Sequence, residues 1–292
     1  METCSKKQKT NWVLDADVKG FFDHLSHEWI VRFVESRIKD PNITRLIRRM
    51  LKAGIMKDFR YEESLEGSGQ GSVCSPIIAN IYMHYVLVWW FKERIQRVCR
   101  GYSGLVVYAD DFVVCFQYKD DAEQFYNHLK RRMRHFGLEM EENKTRLIEF
   151  GRFAENDRKK RGEGKPETFD FLGFTHYCSR DRNGWFRVKR KTSKKKFAKA
   201  CRNFNQKIKS MRTCRLRVIF EKVNQMLRGY YQYYGISDNS QSLYSLKYRA
   251  ERSLFYWLNR RSQKRSYTWE QFRDVLRLFS LAKPRIYVNI YR

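Results

Sequence analysis

A chain of 292 residues is long enough for one large domain or two ordinary ones, each with its own core. Its formal net charge of +28, with 60 Lys and Arg against 32 Asp and Glu, points to a polyanionic partner. The 7 cysteines include no Cys-x-x-Cys pair, which argues against a zinc site or a disulfide framework and fits a reducing cytosol.

The charge is unevenly placed. Residues 178–292 hold 30 basic against 6 acidic side chains, a net of +24, whereas residues 1–177 are close to neutral at +4. That division implies a chemical domain, 1–177, coupled to a basic binding domain, 178–292. The polar, basic N-terminus has no signal-peptide pattern, and the longest apolar run, residues 77–91, is interrupted by Asn80 and His84. It is too short to span a bilayer, so no membrane partner is expected, and the chain reads as a cytoplasmic protein.

In chain order, residues 12–18 read as a strand ending in acid, Asp15 and Asp17. Ser26 caps a helix expected to run to Ile38, with Trp29, Ile30, Phe33 and Val34 on its buried side. A second helix is expected over 43–51, then a glycine-rich loop over 66–72, and then a long apolar helix over 77–91 opened by Pro76. Leu105-Val106-Val107 and Phe112-Val113-Val114-Cys115-Phe116 flank Tyr108-Ala109-Asp110-Asp111, which predicts a hairpin with acid at its tip. An amphipathic helix follows over 121–136, then a short loop and strand over 138–150 and a charged, exposed loop over 155–167. A second hairpin is expected from 169–177 and 185–188, turning at Asn183-Gly184. From Thr192 onward the pattern is helical, with Phe197, Cys201, Phe204, Ile208 and Met211 on one face and further helices over 216–230, 243–258 and 269–279. The whole reads as α+β: an antiparallel sheet with helices, followed by a basic helical domain.

An Asp-Asp pair in a turn is most often a solvated turn. Here a third carboxylate, Asp17, ends another predicted strand. If the two strands are neighbours in one sheet, Asp17, Asp110 and Asp111 converge. Three hard-oxygen donors of that kind suit two Mg²⁺ ions about 3.5–4 Å apart, an arrangement used for in-line phosphoryl transfer.

Residues 15–23 (Asp-Ala-Asp-Val-Lys-Gly-Phe-Phe-Asp), 70–76 (Gln-Gly-Ser-Val-Cys-Ser-Pro) and 108–111 resemble the ordered motifs of reverse transcriptases. The series continues through Gly137-Leu138, Asn143-Lys144-Thr145 and Phe171-Leu172-Gly173-Phe174. Within that family the chain is most similar to the group II intron-encoded type. Arg228 to Gly235 and Tyr248 to Trp257 resemble the maturase-specific thumb of those proteins. The resemblance covers nearly all of residues 12–280 and implies a right-hand polymerase palm with partial fingers, followed by an α-helical thumb/maturase domain.

The resemblance also implies roles. Asp17 and Asp110 would be the principal ligands of two Mg²⁺ ions, for which Mn²⁺ could substitute. Asp111 would assist and the backbone carbonyl of Val18 would complete the coordination. Phe22, five residues after Asp17, would sit under the incoming sugar and exclude a 2′-hydroxyl; an ordinary core aromatic is the lesser alternative. Gln70 and Gly71 would lie against the nascent base pair, and Lys144 near the triphosphate, although a lysine at a strand start is commonly just solvated. Tyr108 would lie along the primer and template. Phe171, Leu172 and Gly173 would form the hairpin that grips the primer, or else pack a hinge. Lys189, Arg190, Lys191, Lys194, Lys195 and Lys196 are candidate phosphate contacts. Among Tyr230, Tyr231, Tyr233 and Tyr234, stacking on RNA is open, with core packing expected for at least two.

The implied partners are an RNA template, a DNA primer, dNTPs and structured group II intron RNA, in a bacterial ribonucleoprotein or nucleoid setting. About a dozen residues precede the first catalytic aspartate, so an N-terminally truncated form lacking most of the fingers is expected. For that reason a non-polymerising RNA-binding maturase stands as the alternative to an RNA-directed DNA polymerase. A defence or diversity-generating reverse transcriptase is disfavoured by the maturase-like thumb.

Overall fold

The computed structural model describes residues 10–52, 55–57, 60–62, 74–264 and 266–291. It divides into two compact units, Met1–Phe169 with Tyr177–Val188 and Asp170–His176 with Lys189–Arg292.

In the first unit, β1 (Trp12–Ala16) and β2 (Val18–Lys19) lead through a 3-10 turn, Phe21–Asp23, into α1 (His27–Glu35) and α2 (Pro41–Lys52). A hairpin of β3 (Ile55–Lys57) and β4 (Arg60–Glu62) comes next, and then α3 (Ser75–Met83). β5 (Ser103–Tyr108), β6 (Asp111–Phe116), α4 (Lys119–His135), β7 (Glu139–Met140), β8 (Arg146–Glu149) and α5 (Ala154–Lys160) complete this part. The main sheet is antiparallel, in the order β5-β6-β1-β8, and β2 pairs with β7 in a small second sheet.

Strand alternation explains how the sheet is buried. Leu14, Ala16, Phe112, Val114 and Phe116 point to one face, where they share a core with Tyr82 of α3 and Phe125, Leu129 and Met133 of α4. The spacing of the α4 residues keeps them on one helical stripe. Each such side chain taken fully out of water contributes about 1.5–3 kcal/mol. On the other face Val13, Val113, Cys115 and Ile148 are buried too. α1 starts where expected, with the Ser26 hydroxyl accepting from the Trp29 N–H.

Two expectations are corrected. The long apolar run is not one regular α-helix: after Met83 it continues as π-helical turns, His84–Trp89 and Phe91–Ile95, and ends in Gln96–Val98. At the first π turn the carbonyls of Tyr85 and Val86 accept from the Arg132 guanidinium at 3.0 and 2.5 Å. A side chain drawing on the carbonyl ladder is a recognised cause of such irregularity. The charged stretch expected as a loop contains α5, whose Glu155 and Asp157 lie at the positive end of the helix and Arg158, Lys159 and Lys160 at the negative end. Ala154 is buried, and Arg161 just beyond the helix pairs with Glu149 and Glu163.

β9 (Phe169–Phe171), β10 (Phe174–Arg180) and β11 (Phe186–Thr192) form a sheet in the order β11-β10-β9, and the division between the units runs through these strands. The Asn183-Gly184 turn is present, with Gly184 at φ 80° and Asp181 Oδ1 accepting from the N–H groups of Asn183 and Trp185.

The second unit is helical: α6 (Lys194–Ser210), α7 (Leu216–Tyr234), α8 (Ser240–Leu258) and α9 (Trp269–Leu278). Phe204, Ile208, Ile219, Val223, Leu227, Leu243, Leu246 and Leu254 belong to its core. Asn239 is buried there with its amide in use, accepting from Thr192 N–H at 2.8 Å and donating to Thr192 Oγ1 and the Tyr234 carbonyl. Among the described residues no helix is long and apolar enough to cross a membrane. The sheet-and-helix first part and helical second part are the α+β arrangement expected.

Candidate active site

β1 and β6 are direct neighbours, with Ala16 opposite Phe112 and Asp15 opposite Val113. One step further along this antiparallel register puts Asp17 beside Asp111. Alternation sends both to the side opposite Ala16 and Phe112, away from the helix-packed face. Tyr108 pairs with Asp111 across the hairpin, so a two-residue turn, Ala109-Asp110, closes it. The three aspartates therefore occupy one end of the central strands. Ala109 is held at φ 54°, a left-handed conformation that costs a non-glycine residue about 1–2 kcal/mol. Tyr108 is exposed.

Asp17 is also the residue at which the chain passes from the main sheet to the small one. Its carbonyl accepts from Glu141 N–H at 2.9 Å, while Val18, buried, pairs with Met140. The Asp17 carboxylate meets the Lys144 ammonium at 3.0 Å, and this hydrogen bond raises the lysine's pKa above its ordinary value. Lys144 is thus not merely solvated: it is the cation that Asp17 holds. Asp15 is placed differently, pairing across the sheet with Arg146 at 3.6 Å. Of the two acids, Asp15 lies within β1 and Asp17 just beyond it, at the sheet's end.

Among the described residues no group of three or more His, Cys, Asp and Glu side chains is gathered closely enough to hold a metal ion. The backbone brings the acids together; the side chains are not drawn into a shell. The donor set itself fits Mg²⁺, since every contributor is a hard oxygen.

Phe22 lies in the 3-10 turn, half-buried, with its ring edge-on to Phe21 at 5.4 Å and packed against the core. Gln70 and Gly71 lie outside the described residues. In the second unit Phe171 is buried, and Leu172 and Gly173 form the turn between β9 and β10, at φ 49° and 78°. The Leu172 carbonyl accepts from the Tyr233 hydroxyl, the Gly173 carbonyl accepts from Ser193 N–H, and Phe174 stacks on Tyr233. A Cβ on Gly173 would lie 3.0 Å from the Tyr234 hydroxyl. Of the tyrosine cluster, Tyr231 is core, Tyr230 and Tyr234 pack against it, and Tyr233 stays exposed.

Lys189, Arg190 and Lys191 run along β11, and Lys194, Lys195 and Lys196 form the exposed first turn of α6, behind the Ser193 cap. Lysines at the positive end of a helix oppose its dipole, and no acid is present in that turn to offset them. A phosphate would offset them. The sequence pattern did not reveal the strain at Ala109 and Leu172, because neither residue type signals a left-handed turn. The pairing of Arg146 with Asp15 was also missed; an acid and a base on separate strands carry no signal until the register is known.

A family model for reverse transcriptases (RNA-dependent DNA polymerases) matches residues 1–176, and one for the group II intron maturase-specific domain matches residues 194–275. Group II intron-encoded protein LtrA of Lactococcus lactis subsp. cremoris is 37% identical over 88 residues, 30% of this chain and 15% of that protein. An uncharacterized 91 kDa protein in the cob intron of Schizosaccharomyces pombe is 41% identical over 73 residues, 25% of this chain and 9% of that protein. Protein YkfC of Escherichia coli K12 is 29% identical over 131 residues, 35% of this chain and 34% of that protein. The matched segments thus span well under half the length of these relatives. Apo telomerase from Candida tropicalis, truncated from its C-terminal domain, has a TM-score of 0.45 at 15% identity over 62% of this chain and 36% of that chain, too low a likeness to bear on function.

Proposed function

Because this chain belongs to the reverse transcriptase family, as a group II intron reverse transcriptase/maturase, we propose that it copies an RNA template into DNA by extending a primer 3′-hydroxyl with dNTPs. The observation that carries this reading is the register that sets Asp17 beside Asp111, with Asp110 in the adjoining turn. Asp17, Asp110 and Asp111, with the Val18 carbonyl, would hold two Mg²⁺ ions, or Mn²⁺ in their place. When bound, such ions lower the pKa of the attacking hydroxyl and neutralise charge on the leaving pyrophosphate.

The chain's own groups do the rest. Lys144 neutralises Asp17 in the ligand-free protein, and once that carboxylate is engaged elsewhere its ammonium is a positive charge for a triphosphate. Phe22, braced by Phe21, presents a rigid ring that rejects a 2′-hydroxyl by size. The lysines at the start of α6 and along β11 contact phosphates without reading sequence. The same basic unit would bind structured intron RNA, and the protein would act within a cytoplasmic ribonucleoprotein.

Primer extension on poly(rA)/oligo(dT) tests the proposal, with Asp110→Asn as the control. Metal-dependent incorporation should fall by at least about 100-fold in the variant. No incorporation by the unaltered chain would leave the second reading, an RNA-binding splicing cofactor that does not polymerise. That reading is favoured by the net +24 of residues 178–292.

A further inference from the structure

Within the second unit, α6, α8 and the start of α9 enclose a cleft of about 850 Å³. Arg249, Arg252 and Arg260 line it together with Tyr256, Trp269 and Asn205, and among the described residues no carboxylate does. The volume is within the ~300–1,000 Å³ range of small-ligand sites. Three arginines brought to one hollow without an acid repel one another, so the arrangement is suited to an anion.

The aromatic groups add a second requirement. Phe255 stacks on Trp269 at 3.8 Å and 15° between planes, yet the indole remains 40% exposed. Tyr256 is likewise exposed, with the Arg260 guanidinium 3.4 Å from its ring centroid. Arg252 lies 5.9 Å from the Trp269 ring. Flat, rigid surfaces beside fixed guanidinium groups are what a nucleobase with its phosphate needs. The Asn205 oxygen already accepts from Ser253 Oγ and Trp257 Nε1, so the side chain is locked and has its amide N–H groups to offer a base edge.

We propose that this cleft takes one unpaired nucleotide of an RNA strand, with its base against Trp269, its phosphate on Arg249, Arg252 and the Arg260 guanidinium that Tyr256 carries, and its edge toward Asn205. A base inside a helix stays stacked on its neighbours and does not reach aromatic groups in a hollow, so a bulged or single-stranded nucleotide is the ligand rather than a duplex. The inference rests on the RNA-binding part of the proposed function. It specifies which feature of a folded RNA this unit recognises.

The test measures binding of the full chain to an RNA hairpin with a single-nucleotide bulge and to the same hairpin without it, by fluorescence anisotropy. The bulged hairpin should bind about fivefold tighter or better, the span of one base–aromatic stack. Arg252→Gln/Arg260→Gln, both on exposed side chains, should abolish the preference while leaving affinity for the unbulged hairpin within about twofold. Trp269→Ala should do the same, with its fold checked by circular dichroism. Equal binding of the two hairpins, or a preference unchanged in the arginine variant, overturns the site but leaves RNA binding standing. Binding of neither hairpin overturns the RNA-binding reading as well. Adenosine 5′-monophosphate distinguishes a strand from a free nucleotide. Loss of the preference at only about micromolar nucleotide would overturn the strand assignment, and resistance up to roughly millimolar upholds it.

Discussion

Single residues define both the chemistry of the site and its cost. Phe22 is legible as a candidate because it follows Asp17 by a fixed spacing, and its contacts with Phe21 and the core make it a stiff surface rather than a mobile one. Phe22→Ala should admit ribonucleotides, read as the ratio of rNTP to dNTP incorporation; an unchanged ratio would remove it from sugar selection. Ala109 was not legible, because alanine carries no turn signal, yet its φ of 54° places it in a conformation that glycine adopts freely. Ala109→Gly should raise stability by about 0.5–1 kcal/mol in urea unfolding, the strain relieved less the added chain entropy. A loss of stability would show that the turn is not strained. His176 is a third case. Burial, assisted by the nearby Arg190 charge, pushes its imidazole down to about 3 from the usual 6.5. Below about pH 6.5 the unfolded chain takes up a proton that the folded one refuses. Stability is therefore complete above that pH and drains as pH falls toward 3, by about 1.4 kcal/mol per unit at the steepest. His176→Gln should flatten the melting temperature between roughly pH 6 and pH 4, and a slope equal to that of the parent would refute the assignment.

Elements were legible where local chemistry and tertiary packing agree. The hairpin at Asn183-Gly184 could be read from its turn residues, and α4 from its apolar stripe. The turn at Leu172-Gly173 needs positive φ at both positions, for which leucine is a poor choice, so the hairpin is legible through the family resemblance and its backbone strain only in the structure. α5 was hidden because its residues are almost all charged, leaving no apolar period to detect. The first π turn after Met83 is bonded by Arg132, a partner 46 positions from Val86, and no local window contains both. α6 begins with charges that oppose its own dipole. Lys195 stands exposed in a first turn where an acid would serve the helix better. Lys195→Glu should stabilise the second unit by about 0.3–1 kcal/mol while weakening RNA binding. Changes of opposite sign, measured by thermal melting and by anisotropy, would mark this turn as a phosphate contact; weaker melting together with weaker binding would mark it as structural.

At the scale of the whole molecule, composition separates a nearly neutral part from a strongly basic one. The nearly neutral first part builds a sheet whose end bears the acids, and the basic second part builds a helical body with arginines and lysines on its exterior. A sheet end carrying three carboxylates repels a nucleic acid unless cations intervene, so affinity has to come from the other unit. Binding carried by lysine–phosphate contacts releases counterions, and each contact adds about 0.7–0.9 to the slope of log K against log salt concentration. The full chain on a short RNA–DNA duplex should therefore show a slope steeper than about −3. Replacing Lys194, Lys195 and Lys196 together by Gln should make it shallower by about 2, in proportion to the contacts removed. Asp110→Asn, by contrast, removes a negative charge from the β5–β6 turn and should leave affinity equal or higher at low salt. A triple variant with the parental slope would mean that the first turn of α6 faces solvent in the complex, and the phosphate contacts would then have to be sought along β11, where Lys189, Arg190 and Lys191 run in sequence.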